Sequence, residues 1–228
     1  LGEAHVDYIQ SYDSLKIETK NILIENNIMT GFCHQGIFFN NYYYGINDTY
    51  YLSDWTIRNN IITGCESWGI CAGYTQASGG VPGAGVPNVI VENNIVGDPS
   101  SNPHITYYGI AFRGKGTTGI ARNNIIVNTS VMSYGIITEA VITDAGNNLI
   151  YNGPKPGGPS TTDILGIDPQ FVNPDEGDFH LQPASIAIDM GCEVDFRYDF
   201  EGNTRPAGYG FDIGPYEFQG TKVNTAPN

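Results

Sequence analysis

Asn21–Gly31 reads NILIENNIMTG, and versions of it return four times along the chain. They are DWTIRNNIITG from Asp54, NVIVENNIVGD from Asn88, TGIARNNIIVN from Thr118 and TDAGNNLIYN from Thr143. With the second Asn of each pair as marker (Asn27, Asn60, Asn94, Asn124, Asn148), the intervals are 33, 34, 30 and 24 residues. A repeat of this length built from short apolar runs predicts a solenoid.

A second echo keeps phase with the first. Gly36-Ile37, Gly69-Ile70, Gly109-Ile110 and Gly135-Ile136 follow the Asn pairs, and Ile9 lines up with these isoleucines. Each unit therefore holds two or three short strands rich in Ile, Val and Phe, separated by turn residues. No stretch keeps apolar residues at helical spacing. The reading is an all-β coil in which each strand lies on its equivalent one turn earlier, about 4.8 Å away. Asn tolerates the left-handed backbone of a sharp corner, and its amide can donate to and accept from the Asn one turn above. The marker residues should form a buried ladder, each link contributing roughly 0.5–1.5 kcal/mol. On these residues the chain, over about 5–150, resembles the right-handed parallel β-helix family, the pectate-lyase-like solenoids.

Three segments follow: rungs over 1–152, a closing segment over 153–220, and a linker over 221–228. The closing segment carries Asp168-Pro169, Phe171-Val172, Gly177-Asp178-Phe179, Ala187-Ile188-Asp189, Arg205-Pro206, Asp212-Ile213-Gly214 and Tyr216-Glu217 in order. It resembles the carboxyl-terminal segment of secreted bacterial and archaeal β-helix proteins, and is expected to cover the last rung. Leu1 opens directly on what reads as a strand, which leads to the expectation of a truncated first rung. An uncovered edge would allow end-to-end self-association, and the tail TKVNTAPN resembles the lead-in to a neighbouring module.

The chain has 228 residues and a net charge of −14, with ten Lys and Arg, so nucleic acid is a poor partner. The acidity suits an extracellular or cell-surface protein and makes calcium an expected cofactor. No apolar run approaches the roughly eighteen residues of a membrane-spanning helix. Sequons at Asn47 and Asn128 fit export. Of the four cysteines, Cys33 and Cys65 should be neighbours on adjacent rungs, and Cys65 with Cys71 is a second candidate bridge. Free buried thiols are the alternative. No CxxC pair suggests structural zinc.

Candidate chemistry begins at His5-Val6-Asp7-Tyr8-Ile9-Gln10. In a strand His5 and Asp7 share a face, about 7 Å apart. His-x-Asp-x-x-Gln runs of this kind resemble those of β-helix proteins related to polysaccharide lyases and epimerases, which implies a general base or metal-binding pair. Stacking brings His34 and Gln35, then Glu66 and Trp68, to the same region. His5, Asp7, His34 and Glu66 form the candidate catalytic cluster.

Substrate contacts are expected from Gln10, Gln35, Trp68, Tyr108, Arg113 and the loop residues Tyr42, Tyr43 and Tyr44. Asp7, Gln35, Trp68, Tyr108 and Tyr134 make one column. Facing outward its aromatics would be a track for sugar rings; facing inward they would be core, the commoner place for large rings. The basic residues near the repeats are Arg58, Arg113, Lys115 and Arg122; Arg113 and Lys115 follow the Gly109-Ile110 strand, where a loop could deliver them to a cleft, and solvated surface charge is their plain reading. The aspartates and Gly-His-Gly of galacturonases are absent, and no metal ligands stand out. Asp189, Asp195, Asp199 and Asp212 read as ties within the closing segment. The expectation is a carbohydrate-directed domain acting on an extracellular polysaccharide by lyase or hydrolase chemistry. Its alternatives are a noncatalytic carbohydrate-binding or adhesion module and a structural spacer.

Overall fold

The computed structural model describes residues 6–12, 17–41, 52–73, 85–114, 116–131, 140–154, 160 and 162–223. These residues form a right-handed parallel β-helix. The first rung holds β1 (Asp7–Tyr12), β2 (Thr19–Glu25) and β3 (Ile28–Met29). The second holds β4 (Cys33–Asn40), β5 (Leu52–Arg58) and β6 (Ile61–Ile62). The third holds β7 (Cys65–Ala72), β8 (Val89–Glu92) and β9 (Ile95–Val96), and the fourth β10 (Thr106–Phe112), β11 (Thr118–Arg122) and β12 (Ile125–Val127). The fifth holds β13 (Thr129–Val131), β14 (Val141–Gly146) and β15 (Leu149–Tyr151). Three parallel sheets result: sheet A from β1, β4, β7, β10 and β13; sheet B from β2, β5, β8, β11 and β14; sheet C from β3, β6, β9, β12 and β15. A short β16 (Ile164–Leu165) adds a sixth strand to sheet C. A hairpin of β17 (Phe171–Asn173) and β18 (Asp178–Leu181) follows.

Like residues stack in the lumen. Ile9, Ile37, Ile70 and Ile110 pair in register on sheet A. Ile24, Ile57, Val91, Ala121 and Ala145 do so on sheet B. Met29, Ile62, Val96, Ile126 and Ile150 do so on sheet C. These columns make one continuous core, each fully buried Ile or Val stabilising by about 1.5–3 kcal/mol.

The two Asn of each pair divide the labour. The first, Asn26, Asn59, Asn93, Asn123 or Asn147, takes the left-handed backbone, with φ of 51–57°. The second forms the inward ladder. Amide nitrogens of Asn27, Asn60, Asn94 and Asn124 donate to the side-chain oxygen of the next Asn at 2.9–3.0 Å.

The closing segment departs from expectation, because it lies along the flank of the coil. Sheet C is apolar on its outer side too, where Ile61, Ile95, Ile125 and Leu149 form a second column. Phe171, Phe179, Leu181, Ile188, Ile213 and Tyr216 cover that column. A strap then climbs the corner from the fifth rung to the second, held by the left-handed Asn. Asn147 Nδ2 donates to Met190 O, Asn123 to Cys192 O, Asn93 to Gly214 O and Asn59 to Tyr198 O, all at 2.8–3.0 Å. Asp189, Asp199 and Asp212 accept backbone N–H groups within the segment. A buried Arg205–Glu217 ion pair at 2.6 Å anchors it.

Three further expectations change. The partner of Tyr108 on the fifth rung is Val131, while Tyr134 lies outside the described residues. The corner between β12 and β13 is the single residue Asn128, so the fifth strand begins earlier than the Gly-Ile spacing implied. Asn128 itself is buried and donates to Asp98 O, which leaves that sequon no free amide in the fold; Asn47 lies outside the described residues. Of the two candidate bridges, Cys65–Cys71 is excluded, because Cys65 faces the lumen while Cys71 faces out; Cys33 and Cys65 lie side by side with no bond between them in the structure.

Candidate functional site

The outer faces of the three sheets differ in what they leave open. That of sheet C is sealed by the closing segment. That of sheet B carries Glu25, Arg58, Glu92 and Arg122 in register, a column of alternating charge. Arg58 pairs with Glu25 at 2.7 Å and Arg122 with Glu92 at 2.9 Å, and Phe196 of the strap lies 4.5 Å under the Arg58 guanidinium. Its cations are therefore engaged in structure.

Sheet A presents different chemistry, and its glycines decide the orientation. A Cβ at Gly36 would lie 2.8 Å from Ile62 Cγ2, and one at Gly69 2.2 Å from Val96 Cγ1, both core atoms. Each glycine thus faces the lumen together with the Ile after it, and the residue before it is turned outward. Gln35, Trp68 and Tyr108 therefore line the outer face, against the preference of large rings for the core. Trp68 and Tyr108 pack there with Phe38, Cys71 and Ala111 in a cluster separate from the lumen.

The aromatics form a ridge parallel to the coil axis, one from each of four rungs. Tyr12 meets Phe38 edge-on at 5.6 Å; Phe38 and Trp68 stack at 5.9 Å, and Trp68 and Tyr108 at 6.1 Å. The Arg113 guanidinium sits 5.2 Å over Trp68. Because the Phe38, Trp68 and Tyr108 rings stack on one another, they offer edges to the outside. Along the strands of sheet A, Tyr12 and Tyr107 are 43% and 52% exposed.

Polar groups flank the ridge where the strands begin. His34 Nδ1 stands 3.5 Å from Glu66 Oε2 across adjacent rungs, both side chains exposed. Asp7, the register partner of Gln35, accepts from Gln10 Nε2 at 2.6 Å, and the same amide reaches Tyr12 Oη at 2.9 Å. Gln35 is buried, and its Oε1 has no hydrogen-bond partner among the described residues. The structure thus joins His34 with Glu66, and Asp7 with Gln10, on one face. His5, Tyr42, Tyr43, Tyr44 and Lys115 lie outside the described residues.

Sequence reasoning missed His104. The insertion before β10 runs back two rungs and sets this imidazole edge-on to Phe32 at 5.8 Å, at the corner from which His34 starts. Asp98 shapes the loop by accepting the Ser100 and His104 N–H groups. The signal was the loop's length, which fixes no direction. Among the described residues no three His, Cys, Asp or Glu side chains come together as metal ligands. An imidazole beside a carboxylate on an open face can accept and return a proton near neutral pH.

A sequence model of the disaggregatase-related family matches residues 68–194, more than half of the 228 residues. The chain belongs to the disaggregatase-related family. The match runs from the third rung into the closing strap. In this disaggregatase-related chain it spans Trp68, Tyr108 and Arg113, while Asp7, His34 and Glu66 precede it. No curated protein and no solved structure matches the chain.

Proposed function

We propose that this chain is an exported, carbohydrate-directed β-helix domain that holds an extracellular polysaccharide on the outer face of sheet A. His34 and Glu66 serve there as the proton-transfer pair of a lyase or hydrolase reaction. The observation that carries this reading is the exposed His34–Glu66 pair on sheet A, whereas the charged column of sheet B pairs within itself and the closing segment packs on the outer column of sheet C. Family membership and the pectate-lyase-like form of the coil point the same way.

In this reading Glu66 Oε2 orients the His34 ring toward the sugar. A lyase would use it to remove the proton beside a uronate carboxylate; a hydrolase would use the same His34 and Glu66 as its acid and base. Gln10 and Tyr12 supply contacts to sugar hydroxyls beside the aromatic ridge.

The test is a panel of neutral and acidic polysaccharides, with and without calcium, read for the ultraviolet absorbance of unsaturated uronates and for new reducing ends. Absorbance lost in His34→Ala and Glu66→Gln establishes a lyase, and reducing ends alone establish a hydrolase. Silence in both channels from a folded chain overturns catalysis, and leaves binding to be read from retardation in polysaccharide gels.

A further inference from the structure

Cys33 and Cys65 open β4 and β7 and are register partners on adjacent rungs. Both face the lumen, fully buried, with their sulfurs 2.8 Å apart. Tyr8 lies beside them; its hydroxyl bonds Gly31 O at 2.8 Å and Thr63 O at 3.1 Å. Neighbouring parallel strands run about 4.8 Å apart, inside the roughly 4.4–6.8 Å Cα separation that a disulfide spans without backbone movement. The remaining thiols do not compete. Cys71 points to the outer ridge, and Cys192 sits in the strap against Asn123 Oδ1 at 3.3 Å.

We propose that Cys33 and Cys65 are a disulfide-forming pair, oxidised as the second and third rungs stack, and that the bond fixes the outer-face positions of the next residues, His34 and Glu66. The oxidant is an external disulfide, either a small molecule such as oxidised glutathione or a disulfide-donating protein. The Cys33 thiolate attacks it and releases one thiol; the Cys65 thiolate then displaces the second. One external S–S bond is exchanged for one internal bond, two electrons leave the pair, and its two protons end on the released thiols. In the stacked pair the shared hydrogen bond lowers the Cys33 thiol and raises the Cys65 thiol, and both are buried, so attack on the external disulfide belongs to the stage before the lumen closes. Once formed, the bond is enclosed in the lumen. The consequence for catalysis rests on the reading of sheet A above; the bond does not.

The experiment refolds the chain in a glutathione redox buffer, alkylates it after denaturation and maps unreduced peptides by mass spectrometry. A peptide linking Cys33 to Cys65, with only Cys71 and Cys192 alkylated, is expected. The thermal midpoint should lie roughly 6–12 °C above that of the Cys33→Ala/Cys65→Ala variant. The His34 N–H, bonded to Val6 O at 2.7 Å, should exchange with deuterium at least about tenfold more slowly in the bridged chain. Four alkylated cysteines in a chain folded by circular dichroism, or a link to another cysteine, would overturn the proposal. Equal exchange at His34 would overturn its second half. If the alanine variant fails to fold, Cys71→Ala/Cys192→Ala keeps the question open to decision: that variant must alkylate at neither remaining cysteine, and labelling of both refutes the pair.

Discussion

Asn148 gives both its backbone N–H and its side-chain amide to one oxygen of Asp163, each at 3.0 Å. Every link of the ladder donates toward the carboxyl end of the coil, so the last position needs only an acceptor. A carboxylate meets that need where another Asn would leave an amide over. Asp163→Ala removes the acceptor of the Asn148 backbone N–H, while the side-chain amide keeps Ala121 O and Gly146 O, and should cost about 1–3 kcal/mol. Asn94→Ala, which removes an acceptor and three donated bonds at mid-ladder, should cost about 4 kcal/mol. Asp163→Asn should stay within about 1 kcal/mol of the parent. Urea midpoints check the order, and equal losses for Asp163→Ala and Asn94→Ala would refute a directional ladder.

The charged column on sheet B should grade with burial. Glu92 is 4% exposed and faces both Arg58 and Arg122. Burial raises its carboxyl above the usual range, with the arginines opposing. Glu92→Gln takes from the partly buried Arg122 guanidinium its paired carboxylate, while Arg58 keeps Glu25, and should cost about 2–3 kcal/mol. Glu25→Gln, at the exposed end, should cost less than about 1 kcal/mol. Thermal unfolding of the two single variants decides the gradient.

Asn123 serves two ends at once, a left-handed corner with φ of 54° and a clasp on Cys192, whose N–H it accepts and whose carbonyl it bonds, both at 2.8 Å. Asn123→Gly keeps the corner and loses the clasp; Asn123→Ala loses both. Alanine should be worse than glycine by about 1 kcal/mol, the cost of a Cβ in that conformation. Both variants should speed proteolytic cutting between residues 190 and 205, and cutting unchanged in both would mean that the strap holds without this residue.

The closing segment should loosen as pH rises. Burial first, and the nearby Glu217 second, push the Asp212 carboxyl from 3.8 to about 7. An acid that holds its proton more tightly when folded stabilises the fold below its unfolded pKa, and that stability is lost as pH climbs to the folded value. At His180 burial lowers the imidazole, but bonds to Asp178 at 2.6 Å and Glu201 at 3.2 Å outweigh it, and the net shift is upward. Its contribution likewise disappears as pH rises through the shifted value. The thermal midpoint should be higher at about pH 5 than at about pH 8, and Asp212→Asn should flatten the difference. A midpoint rising with pH would contradict both assignments.

The repeat of Asn pairs and Gly-Ile steps was enough, from the amino acids alone, to determine the coil, its register through the fourth rung, the amide ladder and the nearness of Cys33 to Cys65. Parallel in-register stacking places equal positions together, so a period in the sequence is a distance in space. Which way the chain's side chains turn is another matter. One glycine per strand brings two successive residues inward, and that backbone event put Trp68 and Tyr108 outside. The position of the closing segment, the split of four Asn pairs into a ladder residue and a clasp, and the reach of His104 to Phe32 were decided only by the tertiary structure. They depend on surfaces far apart in sequence whose shapes exist only after the rungs have stacked.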